Sequence, residues 1–402
     1  MAPPAARPAA HPAARAAARV AGMGETIFAE MSALAVRTGS VNLGQGFPDT
    51  DGPPALLDAA SAALHGGANQ YAPGIGVPVL RQAIARHQHR NYGIELDPDR
   101  QVVVTTGCTE AIAGALLGLV DPGDEVVVLE PYYDSYTAMI DFAGGVRRPV
   151  TLRAPDFRLD PAELEAAVGP RTKLILLNTP HNPTGRVLDA DELAAVARVA
   201  QQHDVLVVTD EVYEHLTFDD HRHVPISTLP GMAERTLTLS SAGKSFSVTG
   251  WKVGWATGPA ELVGAVTAAK QWLTFTSGAP LQPAVAAALD EQHEFPVRLA
   301  ADLRDRRDQL VGGLREAGLT SYTPEGTYFA TTDVSALGWR SGGDFCRALP
   351  ERAGVVAIPS EVFYDDPDGP GAGRHLVRWA FCKRPEVIDE AVRRLAAADL
   401  TA

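Results

Sequence analysis

Lys244 is one of five lysines in a chain of 402 residues, and it closes the string Ser241-Ala-Gly-Lys244. Just before it, the alternating run Thr236-Leu-Thr-Leu-Ser240 reads as the end of a strand. A lysine held where a buried strand ends loses solvation, its pKa falls, and the freed amine can act as nucleophile or base. Other polar groups follow similar apolar runs. Val205-Leu-Val-Val-Thr209 leads into Asp210, a carboxylate whose burial calls for a positive partner, with Tyr213 three residues on. Lys173-Leu-Ile-Leu-Leu177 leads into Asn178-Thr-Pro-His-Asn-Pro-Thr-Gly185, where two prolines and a glycine stiffen the loop that aims Asn182. Val102-Val-Val-Thr105 opens into Thr106-Gly-Cys-Thr-Glu110, a glycine turn at the head of a helix. Its bare N–H groups at Gly107, Cys108 and Thr109 suit a phosphate, or Thr106 or Thr109 is an ordinary N-cap. Glu125-Val-Val-Val-Leu129 leads into Pro131-Tyr-Tyr-Asp134, which offers the aromatic face of Tyr133.

These runs are continuous rather than alternating, so the strands are covered on both faces, the mark of a parallel sheet between helices. Helical stretches at Glu110–Leu119 and Asp191–His203 separate them. Pro54–Leu64, Val79–Asn91, Leu262–Leu273 and Phe295–Glu316 also read as helices. In open parallel sheets ligands gather beyond the carboxyl ends of the strands, where all these polar groups fall. The stretch from about residue 318 to 402 reads as a smaller α+β unit.

Composition narrows the field. An apolar fraction of 46% with 21% charged residues is that of a globular protein. A net charge of −14 argues against a nucleic-acid partner, and no apolar run approaches the length of a bilayer span. Cys108, Cys346 and Cys382 form neither a metal spacing nor a disulfide framework, which points to a reducing cytoplasm. Residues 1–22 are Ala-, Pro- and Arg-rich without an acidic residue, and read as a disordered tail or as a start placed ahead of Met23. The pairs His87/His89 and His221/His223 lie in polar stretches and need no metal.

Two nucleotide or acyl-enzyme readings fail. Gly243-Lys-Ser245 resembles half of a phosphate-binding P-loop, but position 238 is Thr rather than Gly. Ser241-Ala-Gly-Lys244 resembles the Ser-x-x-Lys of penicillin-binding enzymes, yet the accompanying Lys-Thr-Gly or Lys-Ser-Gly is missing. A phosphate seat, an aromatic face, a buried carboxylate for a cationic ring nitrogen and a lysine for an aldehyde together describe pyridoxal 5'-phosphate.

The sequence resembles the fold-type I, class I/II aminotransferases. The markers run from Asn42-Leu-Gly-Gln-Gly-Phe-Pro-Asp49 and Asn69-Gln-Tyr71 through Asn178–Gly185, Thr209-Asp-Glu-Val-Tyr213 and Ser241–Lys244. They end with Thr249-Gly-Trp-Lys-Val-Gly-Trp255 and His375-Leu-Val-Arg378. The resemblance implies an α/β fold, a mostly parallel sheet sandwiched by helices plus a smaller α+β domain built from both chain ends. Its implied divisions are the tail 1–22, an N-terminal segment 23–50 packing with the small domain, a large cofactor-binding domain 51–295 and a small domain 296–402. It implies that Lys244 bonds the cofactor and shuttles the proton, that Asp210 pairs with the ring nitrogen, and that Tyr213 and Asn182 bond the ring hydroxyl oxygen. Tyr133 would stack on the ring; backbone at Gly107, Cys108 and Thr109, with Ser241 and Lys252, would hold the phosphate. Many relatives carry Arg at the position of Lys252. Arg378, beside Gly46 and Asn182, would grip the substrate carboxylate, and Tyr71 would reach the phosphate of a neighbouring subunit, making a homodimer with shared active sites.

The expected activity is ping-pong exchange of an amino group between an L-amino acid and a 2-oxo acid, with 2-oxoglutarate and glutamate as one pair. Asp210 to Trp255 looks most like the kynurenine/glutamine/methionine aminotransferases. Lys270–Pro280 and Phe381-Cys-Lys383 are similar to enzymes assigned to N-succinyldiaminopimelate amination. A cysteine-conjugate β-lyase or a non-catalytic regulator on the same fold are the remaining alternatives.

Overall fold

A computed structural model of the chain describes residues 17–21, 23–369 and 371–402. Most of the expected tail therefore lies outside the described residues, and Ala18–Ala21 forms a single helical turn. A helix at Ile27–Thr38, capped by the Thr26 hydroxyl on Ala29 N–H, leads to β1 (Val41–Asn42).

Seven strands then build the large sheet: β2 (Val102–Thr106), β3 (Glu125–Glu130), β4 (Val146–Thr151), β5 (Thr172–Asn178), β6 (Leu206–Asp210), β7 (Thr236–Ser241) and β8 (Val253–Thr257). Their order is β2-β8-β7-β6-β5-β3-β4, and every pairing is parallel except the two made by β8. The apolar runs are buried on both faces, as continuous patterning requires. β4 escaped the sequence pattern because Val-Arg-Arg-Pro-Val-Thr is an edge strand with exposed side chains, where a proline is tolerated. Helices sit on both sides of the sheet. Ala190–Gln202 starts with a full capping box, Asp189 accepting from Glu192 N–H while the Glu192 carboxylate accepts from Asp189 N–H.

The rest of the chain makes β9 (Thr320–Tyr322), β10 (Phe329–Asp333), β11 (Val355–Val356), β12 (Ile358–Pro359) and β13 (Leu376–Ala380). Four of them form an antiparallel sheet ordered β12-β13-β10-β9. β11 pairs in parallel with β1, so a strand from near the start of the chain is completed by one from near its end. The long helix Glu294–Glu316 packs against Pro385–Ala397 beside this sheet.

Two features of this topology create a site. The carboxyl ends of β2, β3, β5, β6 and β7 share one edge, and the antiparallel β8 begins there, which puts Lys252 beside the ends of the others. Lys244, whose small-residue neighbours Ala242 and Gly243 suggest a turn after the strand, lies instead in a short helix, Ala242–Ser245, that follows β7 directly.

Candidate active site

A cleft of about 260 Å³ opens at that edge and is closed from the other side by β10, β13 and the segment after β1. Every residue assigned above to the cofactor or the substrate lines it except Tyr71, which is 83% exposed with its ring edge-on to Phe275 at 5.4 Å.

The floor is polar and buried. Asp210, the last residue of β6, accepts from Tyr136 Oη at 2.8 Å on one carboxylate oxygen. The other oxygen accepts from the Cys108 thiol at 3.4 Å and from Val212 N–H at 3.2 Å. Burial pushes its pKa up, while those three donors and the charge of Lys244 pull it back. Lys244 is the mirror case. Burial pushes its pKa down, and the nearby Cys382 and Asp210 act against that. Its Nζ stands 5.8 Å from the ring centre of Tyr213 and 5.6 Å from that of Tyr328. Loss of solvation favours the neutral amine, the form that does covalent chemistry, although the two ring faces attract the ammonium.

At one end of the floor Gly107 takes φ +70°, a conformation open to glycine. A Cβ there would sit 3.0 Å from Lys252 Cε, and a Cβ on Gly254 would meet Gly107 C at 2.5 Å. The two glycines thus let β8 close onto the head of the helix Gly107–Leu119, where Lys252 Nζ reaches Thr109 Oγ1 at 3.2 Å. An ammonium, a hydroxyl and free helix N–H groups facing one small space, with Ser241 also lining it, fit the phosphate of pyridoxal phosphate.

The opposite wall holds Arg378, midway along β13 and 2% exposed. Its Nη1 donates to Asn182 Oδ1 and its Nη2 to Gly44 O, both at 3.1 Å, and Nε has no partner. The guanidinium carbon lies 4.1 Å from the ring centre of Phe329 and 5.1 Å from those of Phe28 and Phe363. Burial lowers its pKa to about 10, which still leaves it charged at neutral pH. Among the described residues no carboxylate lies within ion-pair distance of it. A buried cation so placed is a seat for an anion from outside. Gly46 accepts from Tyr328 Oη at 2.6 Å, and a Cβ on it would strike Phe329 at 2.4 Å.

Some contributors were not foreseen. Tyr136, which bonds Asp210, lies one helical turn beyond Tyr133 in Asp134–Ala143 and was not singled out in the sequence; only that spacing hinted at it. Asn178 joins the floor to the loop, donating to Asp210 O at 2.8 Å and accepting from Asn182 N–H at 2.7 Å. Tyr328 carried no sequence signal.

Comparisons with known proteins agree with this geometry. The profile of the family described as "Aminotransferase class I and II" matches residues 38–395. A probable N-succinyldiaminopimelate aminotransferase of Mycobacterium tuberculosis is 53% identical over 379 residues, covering 92% of this chain and 95% of that protein. Kynurenine–oxoglutarate transaminase 3 of Mus musculus is 38% identical over 399 residues, covering 92% and 88%. The solved structure of N-succinyldiaminopimelate aminotransferase from M. tuberculosis superposes with a TM-score of 0.92 at 52% identity, covering 95% of this chain and 99% of that one. The kynurenine-type reading is thus the weaker of the two that the sequence suggested.

Proposed function

The chain belongs to the class I and II aminotransferases and is a pyridoxal-phosphate-dependent enzyme; from that premise we propose that it aminates the 2-oxo precursor of N-succinyldiaminopimelate, with glutamate as donor. The observation that carries an acid substrate is Arg378, buried, charged and lacking a carboxylate of its own at the mouth of a cleft whose floor is Lys244. The choice among acids rests on the 53% identity to the mycobacterial protein.

The cofactor supplies an electron sink for the carbanion that forms when the substrate α-carbon loses its proton. The side chains do the rest. Arg378 fixes the α-carboxylate by a planar two-point contact and turns the α-carbon toward Lys244, with Asn182 and the Gly44–Gly46 backbone setting its own orientation. Lys244 Nζ, its pKa lowered by its buried surroundings, collects the α-proton and delivers it again. Asp210, braced by Tyr136 and Cys108, would hold a proton on the ring nitrogen. Tyr213 and Asn182 would bond the ring hydroxyl oxygen, and Tyr133 would cover the ring. Thr109, Ser241, Lys252 and the N–H groups after Gly107 would take the phosphate. A lysine at 252 acts there as a point charge where an arginine would clamp with two bonds. The partner subunit's Tyr71 completes that seat in a homodimer, which accounts for its exposure in the single chain.

A second reading has its own observation. Phe28, Phe47 and Phe329 line the substrate side, and such an apolar surface suits aromatic or thioether donors of the kynurenine or methionine type. The experiment is a donor panel on purified protein with 2-oxoglutarate: N-succinyl-diaminopimelate, kynurenine, methionine and glutamine. The first should lead in kcat/KM by about 10-fold or more. Equal, low rates on all four would reject the proposal. Borohydride should fix the cofactor to Lys244; fixation elsewhere would reject the mechanism.

A further inference from the structure

The polar stretches assigned to the two histidine pairs divide on folding. His89 and His221 are on the surface, whereas His87 is 4% exposed and the side chain of His223 is buried against Glu211 at 2.8 Å. His87 points inward from the helix Pro78–Tyr92 toward the segment that follows β6. There its Nε2 meets His215 Nε2 at 2.8 Å, and His215 Nε2 lies 4.0 Å from Glu214 Oε2. Among the described residues this is the one group of three such side chains whose ligand atoms all lie within 4.8 Å of one another.

We propose that His87, His215 and Glu214 form a binding site for a zinc-class divalent ion, behind the active-site floor and separate from the amino-transfer chemistry. Three observations carry it. A tetrahedral zinc ion bonds imidazole nitrogen and carboxylate oxygen at about 2.0–2.2 Å, so ligand atoms sharing one ion stand about 3.2–3.6 Å apart. The two shorter separations, 2.8 and 4.0 Å, bracket that spacing, and all three lie within 4.8 Å, so shifts of about half an ångström to an ångström bring the atoms onto one ion. Second, Glu214 is a buried carboxylate whose direct hydrogen bonds come from two neutral hydroxyls, Tyr92 Oη and Ser240 Oγ, each at 2.7 Å. These hydroxyls orient the carboxylate as outer-shell partners orient metal ligands, and leave its charge without an adjacent arginine or lysine. Third, His87 and His215 border a second cavity of about 100 Å³, which gives the rings room to part by the half ångström or so that two nitrogens on one ion require, and admits a water as a further ligand.

The donor set selects the ion. Two imidazoles and one carboxylate suit zinc, nickel or copper(II), and not magnesium or calcium, which prefer oxygen cages. The positive groups nearby are Arg90, exposed and donating to Leu289 O at 2.7 Å, His293 on the cavity rim, and the buried His223, whose charge is held by its own partner Glu211 at 2.8 Å. Solvent screens Arg90, so it weakens the site without closing it. Bound metal would tie the helix Pro78–Tyr92 to the segment carrying Asp210 and Tyr213. The rival arrangement is a plain hydrogen bond between two neutral imidazoles, which takes up no ion.

The test uses untagged, full-length holoenzyme desalted to remove free cofactor, which itself chelates zinc. After equilibration with a small excess of zinc chloride and gel filtration in a weak chelator, metal analysis should find about one zinc per chain. His87→Gln and His215→Gln should each bind at least about 10-fold more weakly, and His89→Gln should bind like the parent. Wild-type crystals soaked in zinc should show an anomalous peak within bonding distance of both Nε2 atoms, a readout that needs no variant. Failure of the parent to retain zinc, retention by His87→Gln equal to the parent, or a peak elsewhere would overturn the proposal. None of these outcomes depends on which amino donor the enzyme uses.

Discussion

The two walls of the cleft are built on opposite principles. On the sheet side Asp210 has both oxygens engaged, and Lys252 and the turn at Gly107 are locked together by backbone that tolerates no side chain. On the β13 side Arg378 has two neutral acceptors, Asn182 Oδ1 and Gly44 O, but its Nε is unpaired and the rest of its surroundings are aromatic faces. A wall that serves an unchanging cofactor can satisfy its own groups in advance. A wall that must take up and release substrates in alternation has to leave one strong group unsatisfied, because desolvation makes that group costly until an anion arrives.

Four substitutions or conditions probe this contrast. Lys244→Ala should lower transamination by about 10⁴-fold or more while the remaining floor still retains cofactor through dialysis. Loss of cofactor together with activity would mean the floor is not independent of its lysine. Arg378→Ala should cut kcat/KM by about 10²–10³-fold, as expected for a desolvated two-point ion pair, with little change in cofactor retention. If cofactor affinity fell as far as substrate affinity, the two walls would be one. Tyr136→Phe should weaken cofactor retention by about 10-fold, the worth of one hydrogen bond to a charged group, and leave KM for the acid unchanged.

The last probe concerns stability rather than activity, in the loop joining the walls. His181 is 1% exposed, its Nδ1 is bonded to Thr184, and burial lowers its pKa from 6.5 to about 3. Between those values the unfolded chain binds the proton and the folded chain does not, so stability falls as pH drops below 6.5 and is unaffected above it. At pH 5 the penalty is about 2 kcal/mol. Urea melts at pH 7.5 and pH 5 should show a smaller acid loss in His181→Gln by that amount; an unchanged loss would place the acid sensitivity elsewhere.

What could be read from the sequence follows the same division. Much of the floor was legible because Asp210 ends an apolar strand and Asn182 and Lys244 stand a few residues past the ends of two others, so they are marked by position as well as type. Arg378 could be read as buried from His-Leu-Val-Arg-Trp-Ala-Phe, an arginine inside an apolar strand. Tyr136 and Tyr328 could not, since an aromatic on a helix or strand face looks the same whether it packs or donates. The strands β4 and β8 were missed, one for its polar edge and one because its glycines and lysine were read as a motif. Likewise, no local pattern joins His87 to Glu214 and His215, which only the packing of a helix against a strand end brings together.

The pairing of β1 with β11 has a consequence for how the protein is made. The carbonyls of Gly44 and Gly46 emerge from the ribosome early, while their partners Arg378 and Tyr328 belong to the closing part of the chain. β8 ends at Thr257, so the last strand of the floor is synthesised roughly 120 residues, on the order of ten seconds, before Arg378. Until then the nascent chain can present the groups of the sheet-side wall and none of the guanidinium opposite them. On the roles proposed for the two walls, cofactor binding can come before substrate choice, which waits for β13 to join β10 and the segment after β1.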